Sequence, residues 1–178
     1  DEIRTTLVES LVRDDKASAA PLQVVVHCTS PQAAFWDFEA TLCGNTRAPQ
    51  ARAGYFDSIA VGDRTVDIIG LNSAWLSAKR ESQGNLAVPA TSLGLPKSSA
   101  DFRIAMVHHP SNWQNPGSSR EFRDYLLDEV DLLLVGHEHA SDITELGRPS
   151  ASVVLVQDAA ALQGDSGQSG LVLLKMRL

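Results

Sequence analysis

Two short apolar runs, each ending directly on histidine, constrain this chain more than any other feature. Arg103–Val107 (RIAMV) leads into His108-His109-Pro110, and Asp131–Val135 (DLLLV) leads into Gly136-His137-Glu138-His139. Each run has the length and aliphatic content of a buried strand. Between them, Ser118 to Glu129 reads as a helix, with Ser118 and Glu121 at capping-box spacing and Phe122, Tyr125 and Leu126 on one face. Strand, helical crossover and strand make a β-α-β unit, so the two strands are expected to be parallel neighbours. Their C-terminal ends then share one edge of a sheet, which is where open α/β sheets place ligand sites.

The rest of the chain fits an α/β layered domain, with strands and helices alternating in the middle and antiparallel pairs elsewhere. Residues 3–13 place Ile3, Leu7, Val8 and Leu11 at helical spacing. Leu22–His27 is a β-branched run that reads as a buried strand. Ser30-Pro31 suits the start of a second helix carrying Phe35, Trp36 and Phe38. Tyr55–Val61 and Thr65–Leu71 read as a hairpin joined by Gly62-Asp63-Arg64. Residues 77–100 read as a long surface excursion, and Ala151–Gln157 and Leu171–Arg177 as two closing strands. At 178 residues the chain has the size of a single domain, 1–178.

Composition narrows the function classes. Fifteen Lys and Arg against 22 Asp and Glu leave a net charge of −7, which argues against generic coating of nucleic acid. No apolar run approaches the 18 residues of a membrane span. Cys28 and Cys43 are too few for a disulfide framework and lack zinc-ligand spacing, so reduced thiols and a cytoplasmic location are expected.

Neutral imidazole is a good ligand for Zn, Mn, Fe or Co. In His137-x-His139 on an extended turn, both rings point the same way. Gly136 permits a sharp exit from its strand, and Pro110 stops the other strand from continuing. A metal or phosphate site is therefore expected where the two clusters meet. His27 has no partner in sequence and reads as structural. Asn72 reads as a hydrogen-bonding residue near the site floor or a turn residue, Glu138 as a solvated side chain and Asp142 as a surface residue. Trp75 and Trp113 read as borders of a substrate opening or, more commonly for tryptophan, as core or rim packing, while Asp158 and Asp165 fall in the last loop.

Taken together, RIAMVHHPSNW, DLLLVGHEHASD, the preceding VDIIGLNSAW and the closing VVLVQDAAALQ…SGLVLLKM resemble the C-terminal half of calcineurin-like metallophosphoesterases. The resemblance implies a layered β-sandwich flanked by helices, a four-layer architecture that is incomplete here. It also implies a binuclear centre of divalent or trivalent ions (Mn, Fe, Zn, Mg or Ni). In that centre a metal-activated hydroxide attacks a phosphate ester in line. His108 matches the histidine of the family's His-x-Pro, and His137 and His139 match the two ligands of its Gly-His-x-His motif. On that alignment His109 is a neighbour of the site rather than a ligand.

The family's Asp-x-His, Gly-Asp-x-x-Asp and Gly-Asn-His motifs, which lie upstream, have no counterpart here. Gly62-Asp63 and Gly44-Asn45 have the wrong spacing or lack the histidine. The resemblance therefore implies that a missing N-terminal half, in the same or another polypeptide, completes the site, and further domains are compatible with it. Two other readings stay open: a non-catalytic interaction module with a vestigial site, and a mononuclear three-histidine zinc hydrolase within this chain.

Overall fold

The computed structural model describes residues 22–44, 46–88, 99–138 and 142–157, with Lys175. Strands β1 (Gly54–Val61) and β2 (Arg64–Leu71) form the expected hairpin, and β3 (Phe102–Val107) and β4 (Leu132–Val135) follow. β5 (Asp142–Arg148) and β6 (Ala151–Gln157) close one sheet of six strands in the order β1-β2-β3-β4-β6-β5. The four central strands are parallel and the two edges antiparallel. The β3–β4 pairing anticipated from sequence is present in register, with Ile104 opposite Leu132 and Val107 opposite Val135. The chain is thus a mixed α/β domain with helices against a sheet. None of the helices among the described residues is long and apolar enough to cross a membrane.

Helix α1 spans Leu22–Thr29, α2 spans Ala33–Cys43 behind a single 3-10 turn at Ser30–Gln32, and α3 spans Pro116–Glu129. Helix α3 crosses from β3 to β4 and packs on one face of the sheet. Its Phe122, Leu126 and Leu127, with Val130 just beyond its end, meet Ile69, Leu71, Ala105, Val107, Leu133, Val135 and Val153, the inward half of each strand's alternation. Burying a side chain such as Phe122, 1% exposed, contributes roughly 1.5–3 kcal/mol. The cap of α3 lies earlier than its sequence suggests. Asn115 accepts the Gly117 amide at 2.9 Å with Pro116 in the first turn, so Ser118 sits inside the helix and is buried against it rather than capping it.

The run Leu22–His27, expected as a strand, is helical. Its environment decides this. Val25 and Thr29, four residues apart, are buried on one side, whereas a strand would bury Val24 and Val26 together. Val25 enters a second, smaller core with Ala53, Trp75, Leu76 and Ala87, and Thr29 Oγ1 donates to the Val25 carbonyl at 2.7 Å. That core also corrects the surface reading of residues 77–100. Leu86, Ala87 and Val88 are buried, and the Trp75 indole donates to the Ala87 carbonyl at 2.7 Å. β5 had no reading as a strand in the sequence, because DITELGR is mostly exposed and carries little apolar pattern. Among the described residues, β5 pairs antiparallel with β6 in a hairpin. The proposed helix at 3–13 and strand at Leu171–Arg177, with Asp158 and Asp165, lie outside the described residues.

The N-terminal end of the sheet is held by charge. The Asp131 carboxylate accepts the Arg103 amide at 2.8 Å, and the Arg103 guanidinium pairs with Glu129. Asp101 accepts both the Thr65 amide and the Arg64 guanidinium, and these two partners hold its carboxyl below the usual carboxylate range. The opposite face of the sheet has a different constraint. A Cβ on Gly70 would lie 2.0 Å from Tyr55 Cε1, so glycine there lets the Tyr55 ring lie flat over β2, where Arg47 stacks on it at 4.0 Å. Gly70→Ala is expected to lower stability by about 1–3 kcal/mol in urea unfolding. In a Tyr55→Ala background the same change should be close to neutral; equal losses in both backgrounds would refute the clash.

Candidate metal centre

The site is assembled by register. Leu71, Val107 and Val135 align across β2, β3 and β4, so the residues that follow each strand emerge side by side. From β2 come Asn72 and Ser73, from β3 His108 and His109, and from β4 Gly136, His137 and Glu138. The Gly136 amide donates to the Val107 carbonyl at 3.3 Å, which carries the pairing one residue past the strand ends. A Cβ on Gly136 would come within 3.1 Å of His108 Nδ1, so glycine here lets the His108 ring lie close over this turn without being pushed aside. His137 has φ 73°, a left-handed conformation that costs a non-glycine residue energy. The turn accepts that cost and aims the imidazole back toward β3.

Three imidazoles result. His108, His109 and His137 each offer a ligand atom, all within 4.8 Å of one another. His137 Nδ1 and His108 Nε2 face each other at 3.2 Å. The ring centroids of His109 and His137 are 4.5 Å apart, and those of His108 and His109 4.7 Å. The facing pair suits a shared ion, because two nitrogens on a tetrahedral zinc at about 2.0–2.1 Å lie roughly 3.3 Å from each other. Three imidazoles are also the donor type that intermediate ions such as zinc, iron or nickel take. The triad could hold one metal ion. Among the described residues no carboxylate joins it to supply the bridge that a second ion needs.

His109 is the member that the sequence reading set aside. It is 6% exposed, and burial, followed by the neighbouring His108 and His137, pushes its pKa down from 6.5 to about 4. Ser73 holds it twice. The Ser73 hydroxyl accepts the His109 amide at 3.0 Å and lies 2.9 Å from His109 Nδ1. The tautomer with its proton on Nδ1, donated to Ser73, leaves the Nε2 lone pair free for an ion. Ser73 escaped notice because a serine after a strand has no distinctive spacing; only its closure onto β3 makes it a positioning group.

The other expectations can now be placed. His108 and His137 come together as anticipated, while His139 lies outside the described residues. Trp113 is a wall of the site, edge-on to His137 at 4.2 Å, and its indole donates to Glu138 Oε1 at 2.8 Å. Glu138 is thus engaged as well as exposed. Asn72 is a turn and floor residue: it accepts the Ala74 amide at 3.1 Å and donates to the Arg52 carbonyl at 2.8 Å. Trp75 lies in the small core, away from the opening, and His27 is exposed on α1. Asp142 begins β5 and accepts the Thr144 hydroxyl at 2.7 Å.

No family model matches this chain, and no curated protein matches it. Solved structures with partial likeness include a Staphylococcus aureus protein provisionally assigned as a 5′-nucleotidase, solved with α-ketoglutarate (19% identity, TM-score 0.36, 57% of this chain and 23% of that one). A hypothetical protein from Thermus thermophilus has 16% identity and a TM-score of 0.38, over 58% of this chain and 37% of that one. GAP50, the anchor in the inner membrane complex of Plasmodium, has 18% identity and a TM-score of 0.36, over 66% of this chain and 40% of its own. The chain therefore spans less than half the length of each of these structures, and likeness at this level carries no argument about activity.

The lowered His109 pKa has a consequence for stability. Between pH 6.5 and about 4 the unfolded chain binds a proton at His109 that the folded chain refuses. The stabilisation from its neutral, buried state is complete above pH 6.5 and is lost as pH falls toward 4. Urea unfolding followed from pH 7 to 4 should show this decline, and His109→Asn should make it shallower. An imidazole resonance of His109 titrating near 6.5 would contradict the burial argument.

Proposed function

We propose that this chain carries the C-terminal part of a metal-dependent phosphoesterase, a hydrolase acting on a phosphate ester through a binuclear centre. The observation that supports it best is the convergence of His108 and His137 at the ends of adjacent parallel strands, with facing nitrogens at 3.2 Å. Their place in sequence, His-x-Pro after one strand and Gly-His-x-His after the next, is that of the metallophosphoesterase pattern. In this reading His108, His137 and His139 hold the ions. Carboxylate ligands come from residues beyond those described or from an N-terminal half in the same or another polypeptide. Ions bound there supply Lewis acidity, neutralising charge that develops on phosphoryl oxygens and favouring ionisation of water near neutral pH.

The chain's own residues prepare the site. Ser73 orients His109, and the low pKa of His109 keeps that ring uncharged, so it does not repel a cation. Trp113 covers one side of His137. A net charge of −7 does not attract phosphate by itself, so the attraction would be local and centred on metal.

A mononuclear zinc hydrolase is the second reading, and one observation favours it: His109 completes a three-imidazole cluster with no contribution from His139. The two readings differ in stoichiometry and in which histidine matters. With added Mn²⁺ the protein is expected to hydrolyse bis-p-nitrophenyl phosphate, and His108→Ala or His137→Ala to reduce turnover to background while circular dichroism stays unchanged. Two ions per chain and loss in His139→Ala support the binuclear reading. One tight zinc and loss in His109→Ala support the mononuclear one. Turnover unchanged in His108→Ala and His137→Ala overturns both, and metal binding without any turnover identifies a non-catalytic module.

A further inference from the structure

On the face of the sheet opposite α3, a cavity of about 670 Å³ lies between α2 and strands β1 to β4. Its volume falls in the range of small-molecule sites. Phe35, Trp36, Tyr55, Met106 and Leu134 make its walls largely aromatic and aliphatic, and the Tyr55 ring packs directly onto the bare backbone of Gly70 within that wall. His108 and Gly136 line it as well, so it opens toward the metal centre without sharing His109 or His137.

The polar atoms in this wall do not balance. Trp36, 8% exposed, has an indole N–H with no acceptor, and the Nε–H of Arg52 is likewise buried without one. Both residues line the cavity, and the Arg52 guanidinium lies 5.7 Å from the Trp36 ring centroid, so the two donors belong to one region. The carboxylate that could have answered them is taken. Glu39, also in the wall, is held by Arg47 through Nε at 3.0 Å and Nη2 at 2.7 Å. Gln32 and Asn72 answer each other. The unmet demand is therefore for an acceptor, preferably anionic, at the edge of a largely apolar space walled by aromatic rings. Native proteins seldom leave buried donors without partners.

We infer that this cavity binds a planar aromatic group bearing a carboxylate or carbonyl oxygen, which accepts from Trp36 Nε1 and Arg52 Nε. Binding itself does not depend on the chemistry at the histidines. Identifying the bound group as the organic part of the phosphate-ester substrate does rest on the hydrolase reading, since only then does the His108 end of the cavity face the reacting phosphate.

Calorimetric titration of the full chain with 2-naphthoate tests this, with 2-naphthylmethylammonium as the probe of equal shape and opposite charge. Naphthoate should bind and the ammonium should not. Arg52→Gln should weaken naphthoate binding about tenfold or more, and Trp36→Phe, which keeps an aromatic ring but removes the N–H, by about fivefold. His137→Ala, outside the cavity, should retain naphthoate binding while losing metal. No naphthoate binding, equal binding of the ammonium, or unchanged affinity in both Arg52→Gln and Trp36→Phe overturns the inference. Naphthoate binding in a chain that never hydrolyses the phosphate ester upholds the cavity and removes only the hydrolase reading. Ester turnover without naphthoate binding does the reverse.

Discussion

Everything at the candidate site depends on the register of three parallel strands. Leu71, Val107 and Val135 stand abreast, so the next two or three residues of each strand emerge at one edge within side-chain reach. A slip of one residue in β4 would turn Leu133 and Val135 out of the core and carry Gly136 away from His108. The core beneath α3 therefore does more than stabilise the sheet. By seating Phe122, Leu126 and Leu127 against the inward residues of β2, β3, β4 and β6, it fixes the register on which the imidazoles converge.

The two ends of the sheet have different roles. At the N-terminal end, Asp101, Asp131 and Arg103 are paired with backbone amides and opposite charges, which pins the strand starts. At the C-terminal end the polar groups are imidazoles that largely face one another, with a left-handed His137 and a glycine that yields space to His108. A left-handed residue and a cluster of imidazoles gather at one end of the sheet, as expected where a ligand completes the arrangement. The unpaired Trp36 and Arg52 donors carry that expectation around to the other face, so site and cavity are neighbouring parts of one opening.

Much of the fold was legible in the sequence because strong local patterns agreed with tertiary needs. RIAMV and DLLLV are buried strands in any context, and the α3 stripe and the Gly62-Asp63 hairpin turn are equally local. Where patterns were weak or divided, the reading failed for identifiable reasons. Val24, Val25 and Val26 have β-branched side chains that favour a strand, but burial of Val25 and Thr29 on one side of a small core selects a helix. β5 is an exposed edge strand whose pairing with β6, rather than its composition, defines it. The cap at Asn115 prevailed over Ser118 because Pro116 suits the first helical position and Ser118 is needed in the packed face.

The sequence by itself determined that histidines would follow two neighbouring parallel strands, since hydrophobic run, crossover helix and hydrophobic run admit few other arrangements. It thereby singled out His108, His137 and His139, of which the first two are among the described residues. Only the tertiary structure decided that His109 turns inward to join them, because a dipeptide of two histidines does not reveal which ring a distant serine will hold. The fold alone also brought Ser73, Trp113 and the cavity over Gly70 to the same edge. Those residues lie on separate segments, and their proximity is a property of strand order and register rather than of any local pattern.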